Sequence, residues 1–245
     1  MDRPAHQLTG NCWLLGAINS IVATGTGKSL LENHFKKDDE KHIFAIHLQE
    51  AENNGLPKPK GDGIYVFTEK EVLEMQNSNK GLSSGEGDVT ALAMAVEQYL
   101  KESGETPGEN GFYQEGGLSY RFFEIITGAT AKEVNALQEC DYGLQYEYRL
   151  KSDPLGSDSF EKILNMAKDA NYAIVLSKNE PDEGGAHALS VVGTEGNYLL
   201  VQESNLSDVY KDVFELIPNS FPPTYKVSED VFKQYIFGYS ALRMK

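Results

Sequence analysis

The 245 residues contain two cysteines, Cys12 and Cys140. That is too few for a disulfide framework or a four-cysteine zinc site, although one bridge between them is open. Cys12 stands in the run Gln7-Leu8-Thr9-Gly10-Asn11-Cys12-Trp13-Leu14-Leu15. Asn11 is a good helix N-cap, and Leu14, Leu15, Ile18 and Ile21/Val22 follow at helical spacing. The thiol therefore falls in the first turn of a helix, where the partial positive charge of the backbone N–H groups favours a thiolate. A thiolate nucleophile needs a base nearby, and the base needs a group to orient it.

The histidines are His6, His34, His42, His47 and His187. His187 has the most telling surroundings. It opens the run His187-Ala188-Leu189-Ser190-Val191-Val192, which reads as a strand, directly after Gly184-Gly185-Ala186. Small residues such as Gly185 let another backbone or a substrate come close. The next strand, Tyr198 to Gln202, runs into Glu203-Ser204-Asn205. Antiparallel pairing of the two would bring that end beside His187, where Asn205 could hold the imidazole in one tautomer, with Glu203 as the alternative orienter. Gln7 could donate a side-chain N–H to a developing oxyanion, together with the backbone N–H of Cys12. Thiol, imidazole and orienter in that relation perform nucleophilic acyl transfer. Each also has a bland reading: a cysteine in a Leu-rich helix as a small buried hydrophobe, a histidine as a satisfied core residue, an asparagine as a turn former. Trp13 reads as packing.

Other patterns carry less. Gly25-Thr26-Gly27-Lys28-Ser29 evokes a phosphate loop, but its required first glycine would fall at Val22 and it follows a helix. Gly81-Leu82-Ser83-Ser84-Gly85 has the spelling of a serine elbow without a preceding strand. Asn205-Leu206-Ser207 spells a glycosylation sequon, which would contradict a catalytic Asn205. His42 and His47 are a poor helical ligand pair and would face opposite sides of a strand. Asp38-Asp39-Glu40 reads as a solvated charge cluster. Asp182-Glu183 reads as part of a flap beside His187, with weak cation binding as the other reading.

The elements that must position Cys12 and His187 follow from periodicity. Helices are predicted over residues 11–23, 29–35, 68–75, 88–102, 120–126, 131–137, 157–170 and 228–235. Thr68 and Glu71 form a capping box, and Asp88 caps the fourth of these helices. Strands are predicted at 43–48, 64–67, 172–176, 187–192, 198–202 and 237–242. Residues 77–87 and 104–117 are Gly-rich loops, and 141–156 support no assignment. Helices dominate the front and strands the rear, which is an α+β pattern. A helix-rich unit over 1–145 would carry the nucleophile, and a β-rich unit over 146–245 would carry His187 and Asn205.

Composition sets limits on partners. Lys plus Arg total 22 and Asp plus Glu 37, a formal charge of −15, which argues against nucleic acid and against an anionic membrane surface. No apolar run approaches the ~20 residues a membrane span needs. Residues 1–6 contain no apolar signal core, which fits a cytoplasmic protein or a chain whose beginning has been trimmed. The oligomeric state is not legible.

In their order along the chain, these pieces resemble papain-like cysteine proteases, most closely the calpain-like catalytic core. Cys12-Trp13-Leu14-Leu15-Gly16-Ala17-Ile18 is similar to the calpain nucleophile helix, and Ala91 to Leu100 to the family's Ala/Leu-rich helix. Gly116-Gly117 with Phe122-Phe123-Glu124 and Thr127-Gly128 resembles its cleft segment. His187-Ala188-Leu189-Ser190-Val191 resembles its His-Ala-x-Ser-Val strand, and Val231-Phe232 to Leu242 its closing helix and strand. The resemblance implies a two-lobe fold, with a helical N-terminal lobe packed on a C-terminal antiparallel β lobe. It implies endopeptidase activity on a polypeptide lying between the lobes. Cys12 would be the nucleophile, His187 general base and acid, Asn205 the orienter, Gln7 part of the oxyanion hole, and Gly116 and Gly117 the holders of substrate backbone. No cofactor is required. Calpains bind calcium through acidic residues, but no ligand positions match here.

Four features depart from the family pattern. Gln7 is one residue closer to Cys12 than the family's glutamine, whose slot His6 occupies. Ala186 replaces the usual glycine before the histidine, and Asn11 the usual aspartate before the cysteine. Asn205 is followed by Leu206 rather than Pro-Trp. Two other functions use the same constellation: a catalytically silent protein-binding module, and a glutamine-directed acyltransferase or deamidase.

Overall fold

The structure, a computed structural model, describes residues 12–48, 63–78, 87–104, 118–128, 132–133, 143–150, 152–179, 186–204 and 213–244. In chain order the elements are α1 (Cys12–Val22), α2 (Gly27–Asn33), β1 (Phe35–Asp38), β2 (Ile43–His47), β3 (Ile64–Thr68), α3 (Glu69–Asn77), α4 (Gly87–Glu102), α5 (Ser119–Thr127) and β4 (Lys132–Glu133). There follow β5 (Gly143–Tyr148), α6 (Ser157–Ala167), β6 (Tyr172–Asn179), β7 (Ala186–Glu195), β8 (Tyr198–Gln202), β9 (Glu215–Leu216), β10 (Thr224–Val227), α7 (Glu229–Tyr235) and β11 (Ile236–Arg243). The chain is mixed α+β.

Its larger sheet has the order β4-β5-β11-β6-β7-β8-β10-β9, antiparallel except for the short β4–β5 pairing. Alternation along its central strands covers both faces. Ala173 and Val175 of β6 and Ala188 of β7 join a core with α1, α4, α5 and the small antiparallel sheet β1-β2-β3. Ile174 and Leu176 of β6 and Leu189 and Val191 of β7 join a second core with α6 and α7. This is the period-two arrangement of a sheet sandwiched between helical layers.

α1 is buried from Cys12 through Ile21, so the predicted stripe widens to the whole circumference. It is enclosed by β6, β7, α5 and α2, and a helix covered on all sides must be apolar or small all round. Gly16 sets its closest approach to the sheet. A Cβ there would stand 3.4 Å from Ala188 Cβ and 3.4 Å from Val175 Cγ1. Beside it, Ser190 Oγ donates to the Gly16 carbonyl at 3.0 Å, and from the other side Ser119 Oγ donates to the Trp13 carbonyl at 2.9 Å. α1 ends in a turn where Thr24 Oγ1 donates to the Ile21 carbonyl at 2.7 Å and accepts from Gly27 N at 2.9 Å. Gly27 is required there, because a Cβ would fall 1.9 Å from the Ile21 carbonyl oxygen.

Several predicted elements need correction. The capping box of Thr68 and Glu71 forms as read, opening α3. The next helix begins at Gly87, before Asp88, whose carboxylate instead accepts from Val89 N at 2.8 Å in the first turn. Lys132 and Glu133 pair parallel with Gln145 and Tyr146 as a strand rather than a helix, since the edge of β5 supplies hydrogen-bond partners there. Phe35 starts β1, and the following Lys36 and Lys37 are exposed on this edge strand, where charge discourages further pairing. β5, β9 and β10 are additions. Among the described residues no helix is long and apolar enough to cross a membrane.

Candidate active site

Cys12 is the first residue of α1 and is buried, 6% exposed, with a free thiol. Asn11, its expected cap, lies outside the described residues. His187 is the second residue of β7 and is 8% exposed. The packing of α1 on β7, fixed by Gly16 and by the Ser190 hydrogen bond, brings these two residues together: the side chain of Cys12 is hydrogen-bonded to the His187 ring.

The other side of the ring is held by Glu203. β7 and β8 pair antiparallel with Ser190 opposite Gln202, so the residue after Gln202 lies diagonally across the ladder from His187. Nε2–H of His187 donates to Glu203 Oε1 at 2.5 Å, and Glu203 is fully buried. With Nε2 committed to the carboxylate, Nδ1 is the nitrogen left for Cys12.

Burial by itself pushes the imidazole toward its neutral form. Hydrogen bonds to Cys12 and Glu203, and the attraction of their negative charges, more than reverse this and raise the His187 pKa to about 10. At neutral pH the ring is an imidazolium between a sulfur and a carboxylate. Such a group can stabilise a thiolate, donate a proton to a leaving group, and return as a base.

Of the two orienters expected, Glu203 is in contact with His187. Asn205, Gln7, Gly116, Gly117 and Gly185 lie outside the described residues, as do Cys140 and the Asp182-Glu183 pair. Trp13 is buried in the core around α1, as a packing residue would be. Among the remaining described histidines, His34 is driven toward its neutral form by burial, and its Nδ1–H donates to the His47 carbonyl at 2.6 Å. His42 precedes β2 instead of lying on it, has φ 54°, and bonds Glu69 Oε2 at 2.9 Å. His47 lies on the exposed end of β2. Among the described residues no group of three or more His, Cys, Asp or Glu side chains is placed so that it could hold a metal ion.

One residue near the site went unread in the sequence. Lys178 of β6 is fully buried and stands directly opposite His187 in the β6–β7 ladder. The available signal was a lysine two residues past a predicted apolar strand, at a position that continues its alternation inward. The chain matches no protein-family model, and a search of curated proteins finds no match that would make one a relative.

Proposed function

We propose that this chain is a cysteine endopeptidase with the two-lobe papain-like fold, similar to the calpain-like core. It would hydrolyse peptide bonds through a thioester on Cys12. The single observation that supports the reading is the chain of contacts from the Cys12 thiol to His187 to Glu203, starting at the first turn of α1.

In the proposed cycle the Cys12 sulfur attacks a peptide carbonyl carbon, and the carbonyl electron pair moves onto oxygen. The backbone N–H of Cys12 and the side chain of Gln7 stabilise the resulting oxyanion. His187 gives its proton to the leaving amine, the C–N bond breaks, and the acyl group remains as a thioester. A water molecule then loses a proton to His187 and attacks the thioester, releasing the acid and restoring the thiolate–imidazolium pair.

The elevated His187 pKa suits this sequence. Part of the elevation comes from Cys12 itself, through its hydrogen bond and charge. Acylation removes that part, so the ring becomes a stronger acid as the amine departs and a neutral base is available for water. Glu203 remains throughout as the acceptor that holds Nε2 and aims Nδ1 at the sulfur. Gly116, Gly117 and Gly185 would line the cleft that receives an extended polypeptide.

Incubation with a casein-type substrate is the test. Peptide cleavage by the native chain, lost in Cys12→Ala, is the expected result. Ammonia release from glutamine without cleavage would replace hydrolysis by deamidation. Neither activity, with slow and equal alkylation of Cys12 and Cys140, would leave a silent binding module.

A further inference from the structure

α1 is buried over its whole circumference, so it has no polar stripe to mark an outward side. Apolar burial is non-directional and does not by itself fix how far such a helix is turned about its axis. The rotation matters, because Cys12 meets the imidazole only if the first residue of α1 faces β7. Hydrogen bonds are directional, and two hydroxyls donate to carbonyls of α1 that lie a turn apart. Ser190 Oγ of β7 reaches the Gly16 carbonyl at 3.0 Å, and Ser119 Oγ of α5 reaches the Trp13 carbonyl at 2.9 Å. Two fixed points on a rigid helix define its rotation. The first ties α1 to the strand that carries His187. The second ties the residue after the nucleophile to a separate element.

Ser119 opens α5, where Leu118 is the N-cap and supplies no side-chain cap. Serine is a residue type that caps its own helix, yet here its hydroxyl goes to α1. The side chain is 2% exposed, so water does not compete for the bond. A carbonyl oxygen has two lone pairs, so Trp13 accepts from Ser119 without giving up a bond within α1. The donor also stands on a firm support. α5 buries Phe122, Phe123, Ile125 and Ile126 in the core around α1, and Tyr120 stacks on Tyr146 of β5 with ring centroids 4.5 Å apart.

We propose that Ser119 is a positioning residue for the nucleophile: its hydrogen bond to the Trp13 carbonyl fixes the rotation of α1 and turns Cys12 toward His187. The consequence for turnover rests on the protease reading, whereas the orienting effect does not. Ser119 acts on the site through the helix backbone. Without its hydroxyl, α1 spends time in rotations that carry the sulfur off the ring. Alkylation of Cys12 then slows, and His187 loses the share of its raised pKa that contact with Cys12 supplies.

The experiment compares the native chain, Ser119→Ala and Ser119→Thr by the rate of Cys12 alkylation with iodoacetamide, the NMR titration midpoint of the His187 ring, and peptide cleavage. In Ser119→Ala alkylation should slow roughly fivefold, the bias that one net hydrogen bond supplies, and the His187 midpoint should move down. Ser119→Thr keeps the hydroxyl and should restore both. Native alkylation and a native midpoint in Ser119→Ala overturn the inference, and cleavage by the native chain then leaves the protease reading standing. The expected shifts with no cleavage by the native chain keep the inference and overturn the protease reading. If Ser119→Ala does not fold, it is measured together with Gly16→Ala, which fills the contact between α1 and the sheet. Failure to fold in that background as well overturns the inference, because the hydroxyl then holds the fold together instead of turning one helix within it.

Discussion

Glu203 Oε1 accepts from His187 Nε2–H at 2.5 Å, with both side chains out of solvent. A carboxylate orienter does two things that an amide orienter cannot. It attracts the imidazolium by charge, and it can only accept, so it fixes the proton on Nε2. Glu203→Gln keeps an acceptor of the same shape and removes the charge. The imidazolium should lose stabilisation, and the alkylation rate of Cys12 should fall on the order of tenfold, the worth of one pKa unit. Glu203→Ala leaves a buried ring N–H without its acceptor and should also cost roughly 3–5 kcal/mol of stability in urea unfolding. A Glu203→Gln variant that alkylates as fast as the native chain would mean that the charge contributes nothing.

The His187 pKa has a consequence for the pH dependence of folding. It is raised from 6.5 to about 10 in the folded chain, so between those values the folded state holds a proton that the unfolded state has released. The contribution is fully present below about pH 6.5 and is lost as the pH climbs toward about 10. The native chain should therefore lose more stability across that window than His187→Gln, measured as urea midpoints on both proteins. Parallel curves for the two would contradict a charged His187.

The seat of α1 on the sheet determines whether the thiol reaches the ring. A Cβ at Gly16 would make ordinary contacts of 3.4 Å with Ala188 and Val175, so Gly16→Ala should fold and react normally. It should gain up to about 1 kcal/mol from helix propensity. Gly16→Leu overfills the same space. It should cost roughly 1–3 kcal/mol and slow Cys12 alkylation, because α1 can accommodate the side chain only by moving off β7. Normal alkylation in Gly16→Leu would show that the Cys12–His187 contact does not depend on this packing.

Much of this arrangement was legible in the chain. Helical spacing after Cys12 located α1, and unbroken apolar runs located β6, β7, β8 and β11, because long periodic segments report burial directly. What the residues could not report was set by pairing. β5 reads as Gly-Leu-Gln-Tyr-Glu-Tyr and is a strand because β11 offers it a full register from Gly238 to Arg243. β9, of two residues, carries too short a pattern to be seen. The site shows the same division. Cys12 and His187 stood out by context, whereas the choice of Glu203 as the group on Nε2 depends on where β8 ends relative to His187. Lys178 was hidden because a lysine after a strand reads as solvated until the neighbouring strands are in place.

The thiol–imidazole pair is tested most directly by the pH dependence of Cys12 carboxamidomethylation, followed by peptide mapping in the native chain and in His187→Ala. An unperturbed thiol reacts in proportion to a thiolate fraction that is half-formed near pH 8.5 (about the value of free cysteine). The native chain is expected to alkylate faster at Cys12 than at Cys140, and His187→Ala should slow Cys12 to the rate of an ordinary thiol. Identical profiles for the two proteins, both following an ordinary thiol, would contradict an activated pair and with it the enzymatic account.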